Sequence, residues 1–331
     1  MKISIISPVY NNLQSCIKFL ESIEKYAPRL TCPWEIIIVD DHSSIEIEKV
    51  LKDKFPFIKF IRLSKKMGAA AARNKGVEKA TGDYIVFFDS DVILAEDTLL
   101  LFEKSFFEGK IIVVGSYFKE PANKGFFPKI KGLIYESWIP KGNSASVFGL
   151  AVAGIKKTVF LSCDGFNENI KKASIEDYEF SDRLLKDTQN HIFYHRHIKV
   201  WHNHPSSFFK QCKLFYIRSR DISSLIIRRR FKLYNFSASG AEGFSSVLGV
   251  MLILFFIYAL IRPSHFSVSF SAIIFMGYVY FNRTFIKIIF SEKNFCLTLC
   301  AFFLRLFLSI PIVFGFLVGS VKYFVVNNNR C

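Results

Sequence analysis

Short apolar runs alternate with longer segments of helical periodicity along residues 1–91. The continuous apolar runs predict buried strands at residues 2–7, 34–40, 57–62 and 83–89. Apolar positions recur at helical spacing over residues 13–24, and small residues predict a second helix over 67–80. Apolar strands that alternate with helices are typical of a parallel sheet covered on both faces. The chain is therefore predicted to begin with an α/β domain.

Polar groups follow three of these predicted strands, namely Tyr10-Asn11, Asp40-Asp41 and Asp89-Ser90-Asp91. The carboxyl ends of parallel strands share one sheet edge, where ligands of α/β proteins bind. The paired aspartates offer hard oxygen ligands suited to Mg²⁺ or Mn²⁺. A plain surface turn is the alternative interpretation, since Asp and Ser often end strands. Neither a dinucleotide-binding fingerprint nor a P-loop occurs in the sequence.

The C-terminal third has a different pattern, because residues 243–261 and 263–282 carry no charged side chain. Three membrane spans are predicted near residues 244–261, 265–281 and 306–326. Arg305 divides the last apolar stretch, so residues 285–303 are expected to form a separate helix, interfacial or a fourth span. We expect Arg305 at the cytoplasmic interface, because a charge at mid-bilayer costs several kcal/mol.

The chain of 331 residues has a formal net charge of +16, which indicates an anionic partner. A lipid surface is favoured, because Arg228, Arg229 and Arg230 precede the first predicted span. No nucleic-acid-binding motif is present, so nucleic acid is not expected as a partner. The seven cysteines lack a framework spacing, and no signal peptide is recognised. The chain is thus predicted to be multi-pass in the cytoplasmic membrane, with its first domain in the cytoplasm.

Four sequence blocks within residues 1–91 resemble one known family in order and spacing. They are Ile3-Ser-Ile-Ile-Ser-Pro-Val-Tyr-Asn-Asn, Glu35-Ile-Ile-Ile-Val-Asp-Asp-His-Ser-Ser, Gly68-Ala-Ala-Ala-Ala-Arg-Asn-Lys-Gly and Gly82-Asp-Tyr-Ile-Val-Phe-Phe-Asp-Ser-Asp. Together they resemble the family 2 glycosyltransferases. The resemblance implies an α/β domain of the GT-A fold, a nucleotide-diphosphate sugar donor and inversion at the anomeric carbon.

The resemblance also implies roles for the matching residues in donor binding. Pro8, Tyr10 and Asp40 would line the nucleoside, and Arg73 would lie near the diphosphate. The Asp89-Ser90-Asp91 group would bind the donor, with the two aspartates contacting the ribose and a Mg²⁺ or Mn²⁺ ion.

Residues 148–160, 164–168 and 174–184 resemble the acceptor-side half of the same family. In that reading Asp177 is the general base that removes the acceptor proton, and Glu176 is its neighbour. The alternative is that these carboxylates only stabilise the helix, since the helix dipole favours acidic residues in the first turn.

Basic and imidazole side chains follow this half of the domain. Among the histidines of residues 191–204, His204 is the candidate metal ligand, and an edge-of-core histidine is the alternative. A long basic helix is predicted over residues 207–230. Arg218 or Arg220 of this helix would reach the diphosphate. The alternative is that the helix only anchors the protein at the membrane surface. The Gln-x-x-Arg-Trp block of processive synthases is absent, which favours transfer of a single sugar.

The sequence predicts three regions: a catalytic domain at 1–204, a basic interfacial linker at 205–232 and a membrane domain at 233–331. The predicted enzyme is a membrane-anchored, inverting, metal-dependent glycosyltransferase with a lipid-linked or saccharide acceptor, in particular a polyprenyl-linked saccharide of the cell envelope. Two alternatives stay open, a polyprenyl-phosphate monoglycosyltransferase and a silent nucleotide-sugar-binding subunit. A nucleotidyltransferase is disfavoured, because Tyr10-Asn11-Asn12 is not a glycine-rich loop. Homo-oligomerisation is left open.

Overall fold

A computed structural model describes residues 1–170, 175–186, 190–228 and 237–328. Arg229 and Arg230 of the predicted basic cluster lie outside these residues. The chain divides into two compact units, one of Met1–Asn123 and Ile139–Asn203, the other of Lys124–Trp138 and His204–Cys331. Residues 124–138 are grouped with the C-terminal unit, whereas the sequence pattern had placed them inside the first domain.

The first unit contains the strands and six of the α-helices of the described chain. The strands are β1 (Ile3–Val9), β2 (Trp34–Asp40), β3 (Ile58–Arg62), β4 (Tyr84–Phe88), β5 (Val92–Leu94), β6 (Ile112–Tyr117), β7 (Val152–Lys156) and β8 (Phe193–His202). The helices are α1 (Leu13–Tyr26), α2 (Glu48–Lys54), α3 (Ala69–Lys79), α4 (Thr98–Phe107), α6 (Lys157–Ser162) and α7 (Glu176–Leu184), with a 3₁₀ turn at Ala27–Arg29. Helix α5 (Phe126–Ser137) belongs to the second unit.

The strands form one mixed sheet in the order β3-β2-β1-β4-β7-β6-β8-β5. The four predicted strands β1 to β4 are parallel, and β7 continues the sheet antiparallel to β4. At the far end β5 pairs antiparallel with β8, with Val92 opposite His202. The predicted α/β class is confirmed, with a mixed sheet in which β1 to β4 are all parallel and the second half contains one further parallel pair, β6 with β8.

The sheet is covered on both faces, which accounts for the unbroken apolar strands. Ile5 and Ile38 face one apolar cluster together with α1 and α4, whereas Ile6 and Ile37 face a second cluster. This alternation follows the two-residue period of a strand. Helix α3 packs closely in the second cluster, since a Cβ on Gly76 would lie 2.5 Å from Cγ2 of Ile6. The small residues of α3 are therefore needed for its approach to the sheet.

The second unit consists of helices. They are α5, α8 (Phe208–Arg228), α9 (Ser237–Ile261), α10 (His265–Phe281), α11 (Arg283–Ser291) and α12 (Phe295–Asn328). Two segments are long and apolar enough to cross a membrane, Glu242–Ile261 and Phe295–Val325. Helix α10 reaches that length only together with α11, from which it is bent by 73°.

The predicted division of the last apolar stretch at Arg305 is wrong, because α12 continues through this residue. Arg305 is buried and pairs with both carboxylate oxygens of Glu242, and its Nε lies 3.2 Å from Oδ1 of Asn282. Glu242 begins the apolar segment of α9, and Asn282 follows the last residue of α10. Glu242 neutralises the charge of Arg305, so α12 can continue through this residue.

Glu35 holds the amino end of the parallel sheet together. Its buried carboxylate accepts hydrogen bonds from the hydroxyl of Ser4 at 2.6 Å and from the backbone and hydroxyl of Thr81 at 2.7 Å each, and it pairs with Lys59. Burial alone would raise its pKa, but Lys59 and these donors lower the pKa of Glu35 to about 2. One carboxylate thus connects three strands with the turn before β4.

We predict that Glu35→Gln destabilises the full-length protein by about 1–3 kcal/mol at pH 7. The folded pKa lies below the unfolded value of about 4.3, so this stabilisation is present above pH 4.3 and is lost as the pH falls toward 2. Thermal unfolding in detergent should therefore show a lower midpoint for the variant at pH 7 and a narrowing gap below pH 4. The matched control is Glu48→Gln, whose exposed pair with Lys52 is expected to matter by less than about 0.5 kcal/mol. Equal midpoints for Glu35→Gln and the wild type at pH 7 would contradict the prediction.

Candidate active site

The loops after β1 and β2 are hydrogen-bonded to each other at the carboxyl edge of the sheet. The backbone N–H of Asn11 donates to Oγ of Ser43 at 2.9 Å, and Oδ1 of Asn11 accepts from the N–H of Ser44 at 2.8 Å. Tyr10, beside this junction, is 42% exposed, and Nζ of Lys66 lies 3.6 Å from the centre of its ring. An exposed aromatic ring at this edge offers a surface for stacking of a base.

Asp40 supports this junction from inside the protein. It is fully buried; its Oδ1 accepts from the backbone and hydroxyl of Ser43 at 2.9 and 2.5 Å, and its Oδ2 lies 3.2 Å from Nη1 of Arg62. Pro8, the other residue expected at the nucleoside, is half-buried in β1. The burial of Asp40 makes it a support for Ser43 in this structure, and its direct contact with a nucleoside stays a prediction.

Asp89 and Asp91 lie beside His202 just beyond the end of β4. One ligand atom from each of the three residues can be chosen so that all lie within 4.8 Å of one another. Nε2 of His202 is 3.5 Å from Oδ1 of Asp91, and Ser90 between the aspartates is buried. Two carboxylates and one imidazole on one side of a loop fit the ligand preferences of Mn²⁺ and are compatible with Mg²⁺.

Electrostatics at this cluster also favour a cation. Burial, together with the negative charge of Asp89, raises the pKa of Asp91, although His202 acts in the opposite direction. Two carboxylates held this close repel each other in the charged form. A divalent ion bound between them would remove that repulsion.

Arg73 connects Asp89 to the start of α7. Its buried guanidinium donates from Nη2 to Oδ1 of Asp89 at 2.6 Å and from Nη1 to Oε1 of Glu176 at 3.3 Å. Burial disfavours the charged guanidinium, but the two carboxylates outweigh it and raise the pKa of Arg73. The predicted contact of Arg73 with a diphosphate stays a prediction, since the described contacts are with carboxylates.

Glu176 and Asp177 differ in accessibility, although they are adjacent. Glu176 is buried against Arg73, whereas Asp177 is half-buried and its Oδ1 accepts from the backbone N–H of Tyr178 at 2.9 Å. Neighbouring helical residues point about 100° apart, so only one of them can face inward. Asp177 is the carboxylate of the pair that is more open to solvent.

A group of phenylalanines fixes α7 relative to the end of β4. Phe180 of α7 packs at centroid distances of 4.8 Å from Phe166 and 5.3 Å from Phe160. Both rings also contact Phe87, two residues before Asp89, at 5.4 and 5.5 Å. Aromatic packing of this kind is close and directional, so it holds the two pairs of carboxylates in a defined relation.

Three predicted site residues belong to the second unit. The ring of His204 lies 5.1 Å from that of Tyr135, Nη1 of Arg218 donates to the hydroxyl of Tyr135 at 3.0 Å, and Arg220 pairs with Asp221 at 2.6 Å. Their proposed roles at the metal or diphosphate stay predictions.

The sequence pattern did not single out His202 as the companion of the aspartates. The signal was present, because both His202 and His204 follow the alternating residues 197–201. The choice depends on the pairing of β8 with β5, which brings His202 opposite Val92 and next to Asp91.

Comparison with known proteins shows which family the first part of the chain resembles. Residues 4–160 match the family model described as glycosyl transferase family 2. An uncharacterized glycosyltransferase of Haemophilus influenzae is 41% identical over 107 residues, which cover 29% of this chain and 39% of that protein. The poly(ribitol-phosphate) beta-N-acetylglucosaminyltransferase TarP of Staphylococcus aureus is 27% identical over 202 residues, or 57% of this chain and 59% of that protein. The chain thus spans less than two thirds of either relative.

A solved structure resembles the chain over most of its length. A mannosyltransferase of Pyrobaculum calidifontis, solved in complex with GDP-Man and Mn²⁺, aligns with a TM-score of 0.55 over 97% of this chain and 86% of its own. The sequence identity is 14%, so this likeness concerns the fold. With the family match and the mixed sheet, it assigns the GT-A fold. Residues 4–160 of the chain are therefore similar to glycosyl transferase family 2.

Proposed function

We propose that this protein is a membrane-anchored inverting glycosyltransferase. It would transfer one sugar from a nucleotide-diphosphate sugar to a lipid-linked acceptor in cell-envelope glycan synthesis, in particular a polyprenyl-linked saccharide. The observation that carries the proposal is the connection of the Asp89, Asp91 and His202 cluster through Arg73 to Glu176, beside the more accessible Asp177. A Mn²⁺-bound relative of the same fold in complex with GDP-Man supports a nucleotide-sugar donor.

The donor would bind along the carboxyl edge of the sheet, as ligands of α/β folds do. Tyr10 would stack on the base, and the loop of Ser43, fixed by Asp40, would lie beside the ribose. Asp89, Asp91 and His202 would hold a Mn²⁺ or Mg²⁺ ion. That ion would supply positive charge to the leaving diphosphate.

The proton transfer is assigned to Asp177. Its carboxylate would take the proton from the acceptor hydroxyl while the oxygen forms a bond to the anomeric carbon. The bond from that carbon to the diphosphate oxygen would break on the opposite face, which inverts the configuration. The nucleoside diphosphate leaves with the bonding electrons. Glu176, paired with Arg73, would keep the start of α7 in place.

The helical unit would anchor the enzyme, which supports a lipid-linked acceptor. Two of its segments, Glu242–Ile261 and Phe295–Val325, have the length and hydropathy of membrane spans. An acceptor phosphate is the second candidate, because a polyprenyl phosphate would enter from the same lipid surface. The two differ in product, a new glycosidic bond to a sugar or a glycosyl phosphate.

We predict that Asp177→Asn abolishes at least 99% of sugar transfer while donor binding stays within about twofold, since an amide cannot accept the proton. Membranes containing the full-length protein would be incubated with a panel of radiolabelled nucleotide sugars, and lipid-extracted products would be separated and hydrolysed. Asp53→Asn, an exposed aspartate of α2, is the control and should transfer normally. Wild-type rates for Asp177→Asn would remove Asp177 as the base. No transfer by the wild type with any donor would favour a silent binding subunit.

We also predict that Mn²⁺ binds at the cluster of Asp89, Asp91 and His202. His202→Ala should weaken Mn²⁺ binding by about 10-fold, in line with the loss of one ligand, and Asp91→Asn should weaken it further. Titration of the purified protein followed by the electron paramagnetic resonance of free Mn²⁺ measures this without turnover. His197→Ala is the matched control, an exposed histidine of the same strand. Unchanged Mn²⁺ affinity in Asp91→Asn would refute the site.

A further inference from the structure

Lys131 of α5 is a buried amine that the proposed reaction does not use. The residue is 1% exposed, and Nζ has no hydrogen-bond partner within the described part of the chain. Instead Nζ lies over three rings, 3.8 Å from the centroid of Phe215, 4.3 Å from Tyr135 and 5.0 Å from Trp138. Burial strongly lowers the pKa of Lys131, with a further contribution from Arg218. A buried amine without a hydrogen bond destabilises the fold, because it has lost its contacts with water. The contacts with the rings offset only part of this desolvation free energy.

Charged side chains of three other helices lie near Lys131. Arg218 on α8 and Arg305 on α12 both act on Lys131, whereas Glu242 is the one acid found to act on it among the described residues. Glu242 is itself paired with Arg305 and accepts from the indole N–H of Trp138 at 3.2 Å. Lys131, Arg218, Arg305 and Glu242 therefore form one cluster of ionisable groups, and Nζ of Lys131 has no hydrogen-bond partner there among the described residues.

The position of the cluster identifies the kind of anion. Helices α9 and α10 run antiparallel, as the ring pairs Phe244–Phe281 and Phe255–Phe270 indicate. Glu242 begins the apolar segment of α9, and Asn282, bonded to Arg305, follows the end of α10. The charges thus lie at one end of this apolar hairpin, the depth at which lipid phosphates lie in a bilayer.

From these observations we infer that the cluster around Lys131 binds the phosphate group of a membrane lipid, namely the polyprenyl phosphate or diphosphate that carries the acceptor. This inference rests on the proposed function for the identity of the lipid. A phosphate beside Nζ would favour the protonated form of Lys131, and the guanidinium of Arg218 is a second cation for it. The flexible stem of the lysine lets Nζ leave the rings and meet a phosphate oxygen. Tyr135 offers its hydroxyl, which Arg218 already contacts.

The test measures binding without turnover, on the full-length protein in detergent. Undecaprenyl phosphate at a concentration well above its dissociation constant should raise the thermal unfolding midpoint of the wild type by several degrees. Undecaprenol, which lacks the phosphate, and inorganic phosphate alone should raise it far less. Lys131→Met should bind undecaprenyl phosphate at least 10-fold more weakly, and without lipid its midpoint should equal or exceed that of the wild type.

Lys129→Met is the matched control, because Lys129 lies on the same helix but is paired with Glu292 at 2.8 Å. It should bind the lipid as the wild type does. Arg218→Gln gives a second, independent variant and should also weaken binding. The inference is overturned if both Lys131→Met and Arg218→Gln bind normally, which would make the amine structural only. It is also overturned if undecaprenol or free phosphate stabilises as well as the lipid phosphate.

The outcome separates this inference from the proposed function. If the wild type shows the lipid-induced shift of the unfolding midpoint but transfers sugar from none of the donors, the lipid site stands and the proposed reaction fails. If the wild type transfers sugar to lipid and Lys131→Met does so with an unchanged KM for the lipid, the reaction stands and the lipid site fails.

Discussion

The buried guanidinium of Arg73 is the interaction on which the arrangement of the candidate site depends. A buried charge costs several kcal/mol unless it is paired in good geometry, so the protein must keep Asp89 and Glu176 against it. This requirement fixes the end of β4 and the start of α7 to one point. It also constrains α3, whose approach to the sheet leaves no space for a side chain at Gly76. Removal of one carboxylate would leave Arg73 with a single acidic partner, and removal of both would leave an uncompensated charge in the interior.

The same constraint gives neighbouring carboxylates different chemistry. Asp89 forms an ion pair with Arg73, whereas Asp91 lies next to His202. The charge of Asp89 is therefore already partly neutralised before a cation binds. At α7 the inward position is taken by Glu176, and helical periodicity then turns Asp177 away from the core. The division between a supporting carboxylate and a proton acceptor therefore arises from packing, and the two residue types alone do not determine it.

The sequence was sufficient for the elements whose signal is local. Strands β1 to β4 and the polar groups at their ends follow from the apolar pattern, and the structure joins two of those ends directly through Asn11 and Ser43.

The features that the pattern could not predict depend on contacts between residues far apart in the sequence. The nearness of His202 to Asp91 follows from the register of β8 on β5. The continuity of α12 through Arg305 follows from Glu242, 63 residues earlier in the chain. The sequence of α5 alone does not indicate that this helix belongs to the helical unit, because the apolar residues that it packs against lie on α11 and α12.

Two buried basic side chains of the helical unit, Arg305 and Lys131, differ in the groups that surround them. Arg305 has a bidentate acid and an amide oxygen, which is the usual solution for a charge near a bilayer. Among the described residues, Nζ of Lys131 lies over aromatic rings and makes no hydrogen bond, although a methionine would fill a similar space without the cost of desolvating an amine. A purely structural role would favour the apolar residue, since unpaired buried amines destabilise a fold. This contrast supports the inference that the amine of Lys131 pairs with a lipid phosphate.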